Sequence, residues 1–281
     1  MPLTLRHLYY RFPPHLRLLA RKLYYLPSDL WAGWTGQRHP YQPPQGDIYI
    51  GSGDFMAQGQ HHLALLRHYL DLLPEAAVLD VGSGIGRSAA ALADYLRPPG
   101  RYEGFDVVEK GVHWCQRTIG RDHPHFRFTY VPLHNDLYTA QGQAATDFRF
   151  PYEEAQFDAV FLFSVFTHMV PTEIGHYLHE IARVLKPGGQ CLATFFTYTE
   201  ADLDWLADPA RRFRFPVAHS GYRLMDAQVQ SANVALAQDY LDQLIAEAGL
   251  HRQLLLPGYW RDAVPKAPLI DFQDLVVLAK P

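Results

Sequence analysis

The chain has 281 residues, 48% of them hydrophobic and 19% charged, which is enough to bury a large core as one α/β domain with an appendage. Its net charge of −4 supplies no basic field able to hold a phosphate backbone, which argues against a nucleic-acid partner. Two cysteines, Cys115 and Cys191, are too few for a disulfide framework or a thiolate zinc site and fit a cytoplasmic protein, and no apolar run nears the roughly 18 to 20 residues that span a bilayer.

Residues 1 to 28 contain no Asp or Glu but carry Arg6, Arg11, Arg17, Arg21 and Lys22 among many Leu and Tyr. After Pro13-Pro14, Leu16, Leu19, Ala20 and Leu23 fall at helical spacing, with Arg17 and Arg21 on another face. We read residues 1–55 as a basic, aromatic helical extension that serves as a lid. A weak peripheral membrane contact through residues 1–26 is the alternative, since basic amphipathic helices bind anionic headgroups. A polar, Gly- and Pro-rich stretch from about Ser28 to Gly53 follows, then a second helix marked by Leu63, Leu66, Leu70 and Leu73 and stopped by Pro74.

From Ala77 onward short β-type runs alternate with helical patterns, the mark of βαβ units and a largely parallel sheet. Seven strands are expected, near 77–81, 102–107, 126–131, 158–163, 189–196, 251–257 and 272–278. Ile174, Leu178, Ile181 and Leu185 mark one helix between them, and Leu236, Tyr240, Leu244 and Ala248 another, capped by Gly249. The fold class is therefore a doubly wound, seven-stranded, mostly parallel α/β sheet, with the main domain over 56–281. Two long stretches, 132–157 and about 197–234, do not fit the alternation, and loops of that length are often functional.

The segment VLDVGSGIGRSA, residues 78 to 89, is an apolar strand that runs into Gly82, Gly84 and Gly86 and then into a helix. Glycines let the backbone turn sharply and approach a ligand where a Cβ would clash. Their spacing is Gly-x-Gly-x-Gly, not the Gly-x-Gly-x-x-Gly of dinucleotide sites, where a pyrophosphate rests on a helix N-terminus. Asp80, two residues before Gly82, would repel a pyrophosphate and suits a cofactor bearing an ammonium and a sulfonium. Asp106 ends the next strand, in YEGFDVV, twenty residues after Gly86, where a carboxylate can accept both ribose hydroxyls. Ser83, between the first two glycines, belongs to the same cradle, as does Val107 beside Asp106.

These motifs resemble those of the class I S-adenosylmethionine-dependent methyltransferases: VLDVGSGIG is similar to their first motif and FDVV to their ribose-binding second motif. FDAVFLFSVFTHM (157–169) resembles their fourth-strand motif, and EIARVLKPGG (180–189) the helix and turn before their fifth strand. The resemblance covers roughly residues 50 to 281. It implies S-adenosylmethionine as cofactor, sheet order 3-2-1-4-5-7-6 with the last strand antiparallel, and cofactor contacts from Phe163 and Ser164 at the end of the fourth strand. One departure is YVPLHNDLY, where Pro132 stands at the position of the acid that often meets the adenine amino group. The Leu133 amide or the Asn135 side chain is then left for the adenine.

His168 follows the fourth strand beside the point where a transferred methyl emerges, and either serves as a general base or hydrogen-bonds the backbone at a helix start. Among the 15 histidines, His176 and His179 share a helix face, but no third ligand at recognisable spacing joins them, and no metal is expected. Arg211, Arg212 and Arg214 either grip an anionic substrate or form a solvated charge run. The rings at Trp31, Trp34, Tyr222 and Tyr259 either stack on a sugar or pack as core. The expected acceptor is a hydroxyl of a small molecule, sugar or lipid-linked glycan, bound between the N-terminal lid and the 197–234 insertion. The sequence leaves the oligomeric state open.

Overall fold

The computed structural model describes residues 14–48, 53–133, 142–211, 213–227, 229 and 232–281, with the side chains of 14–18 excepted. Its helices are α1 (Pro14–Trp34), α2 (Phe55–Tyr69), α3 (Arg87–Ala93), α4 (Glu109–Arg117), α5 (Ile119–Asp122), α6 (Pro171–Val184), α7 (Leu203–Ala207) and α8 (Gln238–Glu247). Its strands are β1 (Ala77–Val81), β2 (Arg101–Asp106), β3 (Phe126–Tyr130), β4 (Phe157–Leu162), β5 (Leu185–Tyr198), β6 (Val217–Ala218), β7 (Tyr222–Leu224), β8 (Val234–Ala237), β9 (His251–Leu256) and β10 (Asp274–Ala279).

All seven expected strands form. Strands β3, β2, β1, β4 and β5 pair in that order and in parallel; β10 lies antiparallel on β5, and β9 antiparallel on β10. This is the expected order with its reversed strand. Val78, Leu79, Val160 and Phe161 are fully buried, because helices cover both faces of a parallel sheet. The chain reverses its direction of build between β1 and β4, so the carboxyl ends of these strands open a crevice there.

Each face has a core of its own. On one, Leu79, Phe105, Val160 and Cys191 pack under α6 and α8; on the other, Val78, Tyr102, Phe161 and Leu192 pack under α2, α3 and α4. Every residue of α3 is buried, and its run Ala89-Ala90-Ala91 keeps the helix thin. Gly59 lets α2 cross it closely, since a Cβ there would lie 2.5 Å from the Arg87 carbonyl oxygen.

Three elements differ from the sequence reading. The segment 197–234 is not a structureless insertion. β5 runs on to Tyr198, its last residues pair in parallel with β8, and β7 and β6 extend that branch. Helix α2 stops at Tyr69 with Leu70 as its cap, and Leu73 beyond it is exposed. Asp71 takes φ 47°, a turn that hydrophobic spacing does not reveal.

Helix α1 reaches Trp34, past the expected start of the loop at Ser28. It docks by its polar side on the 3-10 turn Gln45–Asp47. The Asp29 carboxylate accepts from the amides of Gln45 (2.6 Å) and Gly46 (2.9 Å), and Lys22 pairs with Asp47 at 3.1 Å. Lys110 of α4 meets the same Asp47, which ties the extension to the helix that follows Asp106.

The stretch 142–157 is fastened to α6. Glu180 accepts from the Phe150 amide (2.7 Å), while Arg183 donates to the carbonyls of Phe150 and Tyr152 and pairs with Glu180 at 2.6 Å.

Candidate functional site

The residues singled out from the glycine motif converge at the carboxyl ends of β1 and β2. Gly82, Gly84 and Gly86 all have positive φ (80°, 60° and 86°), the left-handed region that other residues occupy only at a cost. Two of them are also fixed sterically: a Cβ on Gly82 would sit 2.5 Å from Val165 Cγ2, and one on Gly86 would sit 2.7 Å from Cys115 Sγ. The loop is pinned to β2, because the amides of Gly82 and Ser83 both donate to the Phe105 carbonyl (2.9 and 3.0 Å).

Asp106 holds this loop as well. Its two oxygens accept from the Gly84 amide and the Val108 amide, each at 2.8 Å. Each carboxylate oxygen has a second lone pair, so the group can still accept hydroxyl protons from a ribose. Val107 is half-buried against the core under α6.

Asp80 is 3% exposed, and its Oδ2 accepts from the Tyr102 hydroxyl at 2.7 Å. That hydroxyl reaches Asp80 over Gly104, where a Cβ would lie 2.8 Å from it. Burial, opposed by the Tyr102 hydrogen bond and reinforced by Asp106, pushes the Asp80 carboxyl up to about 7. Burial also raises Asp106, against the hydrogen bonds from Val108 and Gly84. Among the described residues no Lys, Arg or His forms an ion pair with either acid. The Ser83 hydroxyl is buried and has no hydrogen-bond partner. Two buried acids without a counter-charge and an orphaned hydroxyl fit a cationic, hydroxyl-bearing cofactor, and S-adenosylmethionine has an ammonium, a sulfonium and a ribose diol.

The end of β4 forms the other wall of the crevice. Ser164 takes φ 59°, a strained conformation for a side chain with a Cβ. It is held by Thr194, whose Oγ1 accepts from the Ser164 amide (2.7 Å), and by Gln273, whose Oε1 accepts from the Ser164 hydroxyl (3.0 Å). Phe163 stacks on His62 with centroids 3.7 Å apart. His168 follows, half-buried, in the 3-10 turn Phe166–His168.

A group that the sequence reading missed lies on the same wall. His61 Nε2 is 3.3 Å from Asp271 Oδ2. Asp271 is half-buried: burial would raise its carboxyl, but the hydrogen bond from His61, with His62 and the Gln273 amide, lowers it on balance. Its neighbour His62 lies within 2.8 Å of Ser88 Oγ, and burial lowers its imidazole to about 3, which keeps it neutral. The only available signal was the pair His61-His62 on a helix; nothing in the spacing announced a partner some 210 residues away.

Other singled-out residues sit elsewhere. The Leu133 amide donates to the Val131 carbonyl (2.9 Å) in a turn about Pro132, and its buried side chain joins the core. The amide offered to adenine is thus taken up within the turn. Asn135 and Arg212 lie outside the described residues. Arg211 pairs with Asp208 (3.4 Å) and Asp262 and lies over Trp205, so it is engaged within its own segment; Arg214 is exposed. His176 and His179 lie at separate carbonyls, Phe148 and Gly175. Tyr222 stacks on His219, and Tyr259 meets Phe272 edge to face.

A further buried acid, Asp274, ties the end of β5 to the loop between β9 and β10. Its carboxylate accepts from the Thr197 amide and hydroxyl, the Gly258 amide and the Trp260 indole, at 2.7 to 2.8 Å. An open depression of about 680 Å³ along β3, lined by residues such as Glu103 and Arg127, shares none of the crevice residues.

Known proteins agree with this geometry. The family described as methyltransferase domain matches residues 79–193. The chain is 35% identical over 126 residues to a fatty-acid O-methyltransferase of Mycolicibacterium smegmatis, covering 44% of this chain and 36% of that protein. It is 31% identical over 173 residues to the sterol 24-C-methyltransferase ERG6B of Gibberella zeae, covering 61% and 40%. The chain thus spans well under half the length of these two relatives. Among solved structures, the 1,6-didemethyltoxoflavin-N1-methyltransferase of Burkholderia thailandensis, bound to S-adenosylhomocysteine, superposes with a TM-score of 0.50 at 19% identity over 96% of this chain and 91% of its own. The glycine cradle and the paired acids lie in the matched segment: residues 79–193 form a methyltransferase domain of the S-adenosylmethionine-dependent kind.

Proposed function

We propose that this protein transfers a methyl group from S-adenosylmethionine to a hydroxyl of a small molecule, sugar or lipid-linked glycan, in the cytoplasm. The observation that carries the reading is the pair of buried acids without a counter-charge at the crevice between β1 and β4. The bound cofactor supplies an electrophilic methyl on a sulfonium. The chain's own work is positioning: Asp106 orients a diol, Asp80 faces a positive charge, and the glycine loop brings the backbone close. In this reading residues 1–55 act as a lid, the acceptor binds between that lid and the segment about 197–234, and a weak contact of residues 1–26 with a membrane surface is the alternative role of the extension.

A hydroxyl acceptor must lose its proton as it attacks. His168, just after β4, is our first assignment for the group that takes it. The second is His61, favoured by Asp271, which holds one ring nitrogen and leaves Nδ1 to accept. The relatives' names include a fatty-acid O-methyltransferase and sterol C-methyltransferases, and a structural neighbour's title names an N-methyltransferase; a small-molecule amine is therefore the alternative acceptor.

Calorimetric titration with S-adenosylmethionine and S-adenosylhomocysteine, with NAD as control, tests the cofactor. Micromolar binding of the sulfur nucleotides alone supports the reading. Transfer of labelled methyl from the cofactor to an alcohol, glycan and amine panel tests the acceptor. Label gained only by amines moves the reading to N-methylation, and cofactor binding with no transfer to any class leaves a silent scaffold.

A further inference from the structure

Helix α1 is amphipathic, but it is mounted the wrong way round for a soluble protein. At 3.6 residues per turn, Arg21, Tyr25, Asp29 and Ala32 fall on one side, and these are its half-buried positions. They sit over the Gln45–Asp47 turn through Asp29 and through Arg21, whose Nε donates to the Gln45 carbonyl (3.3 Å). The opposite side carries Leu19, Leu23, Leu26, Leu30 and Trp34, exposed by 53%, 63%, 49%, 64% and 82%. Tyr24 (77%) and Trp31 (59%) flank that stripe.

A run of leucine and aromatic side chains turned to water is costly, and a contiguous apolar patch of this kind marks a surface that meets something else. Charge and residue type select the partner. The first 28 residues hold five Arg and Lys and no acid. Lys22 and Lys110 share the single carboxylate of Asp47, which leaves this border of the helix positive. Trp and Tyr beside Leu, with cations at the margin, is the composition that settles at the headgroup level of a bilayer. A second copy of the chain would set the same positive border against itself. The helix is no span, since no described helix is long and apolar enough to cross a membrane.

We infer that α1 is an interfacial anchor whose Leu19–Trp34 face lies in the surface of a membrane containing anionic lipid. The anchor orients the chain so that the end of α4 next to Asp106, to which α1 is tied through Asp47 and Lys110, is held near that surface. In purpose the inference rests on the proposed lipid-linked acceptor, but its test involves no methyl transfer.

The test is flotation of the whole protein with phosphatidylcholine vesicles, with and without phosphatidylglycerol, alongside tryptophan emission. The wild type should float with the anionic vesicles and shift its emission to the blue, less so at high salt. The double variant Leu23→Glu/Leu30→Glu should lose about tenfold or more of that partitioning. Titration with S-adenosylhomocysteine should be unchanged in the variant, which separates loss of the anchor from loss of fold or of the cofactor reading. Absence of flotation in the wild type, or equal flotation of wild type and variant, would overturn the inference. So would dimers that the variant dissolves without any vesicle binding, since the face would then belong to a second copy.

Discussion

The crevice and helix α1 carry opposite expenses. At the crevice, Asp80 and Asp106 are carboxylates withdrawn from water with no cation paired to them among the described residues; on α1, a face of leucines and tryptophans is exposed to water. Charge is inside and hydrocarbon outside, the reverse of what stability alone would select. Two other buried acids follow the ordinary rule: Glu180 is buried beside Arg183, and Asp274 has four donors. The contrast teaches that departures from the rule mark the places where something outside the chain completes the structure, a cation in one case and an interface in the other.

Asp274 sets the scale of that comparison, because there the chain satisfies a buried acid by itself. Asp274→Ala should cost about 3 kcal/mol or more, since it strands four buried donors, and urea unfolding would register it. A cost under about 1 kcal/mol would show that water replaces the carboxylate. At the crevice, Asp106→Ala should weaken S-adenosylmethionine and S-adenosylhomocysteine about a hundredfold, the size of one or two charge-assisted hydrogen bonds. Calorimetry that finds less than about a threefold loss would remove Asp106 from the ribose site.

Two histidines compete for the proton of the acceptor. Replacing the working base by Gln should lower kcat for a hydroxyl acceptor about a hundredfold with cofactor affinity unchanged, and the pH-rate profile should lose its acidic limb. His168→Gln and His61→Gln measured side by side tell which residue it is. Asp271→Asn should weaken the rate only if His61 is the base.

The smallest effects sharpen the charge argument. The folded Asp80 titrates near 7 and an unfolded one near 3.8, so between those values the native state holds the extra proton. Apo stability should therefore fall as pH rises from about 4 to 7, by up to about 1.4 kcal/mol per pH unit from this residue. Asp80→Asn should raise the apo melting temperature at pH 8 and leave it unchanged near pH 4. A cationic ligand favours the ionised acid, so wild-type affinity for S-adenosylmethionine should climb from pH 6 to 7 and level off above, and the Asn variant should lose that slope. A slope that survives the substitution would place the titrating group elsewhere. His62 works in the other direction: buried neutral, with a folded value near 3, it removes stability as pH falls below about 6.5.

The sequence by itself determined the seven main strands, their order by resemblance, the glycine loop and both acids, because each is written in local pattern: β-type runs between turns, and a carboxylate at a strand end. It also disclosed the basic, leucine-rich start of the chain. Only the tertiary structure decided which side of α1 docks, since Asp29 and the amides of Gln45 and Gly46 choose the polar side, and that choice lies in contacts between segments. The branch β6–β8 was likewise hidden: strands of two to four residues have too little periodicity to read, and β8 exists because β5 runs past its neighbours and offers an open edge. Tyr102 over Gly104 onto Asp80, and His61 on Asp271, join residues 22 and 210 positions apart. Spacing along a chain carries no record of such pairs, because it is the packing of β1 against β2 and of α2 against the loop before β10 that brings their side chains within hydrogen-bond reach.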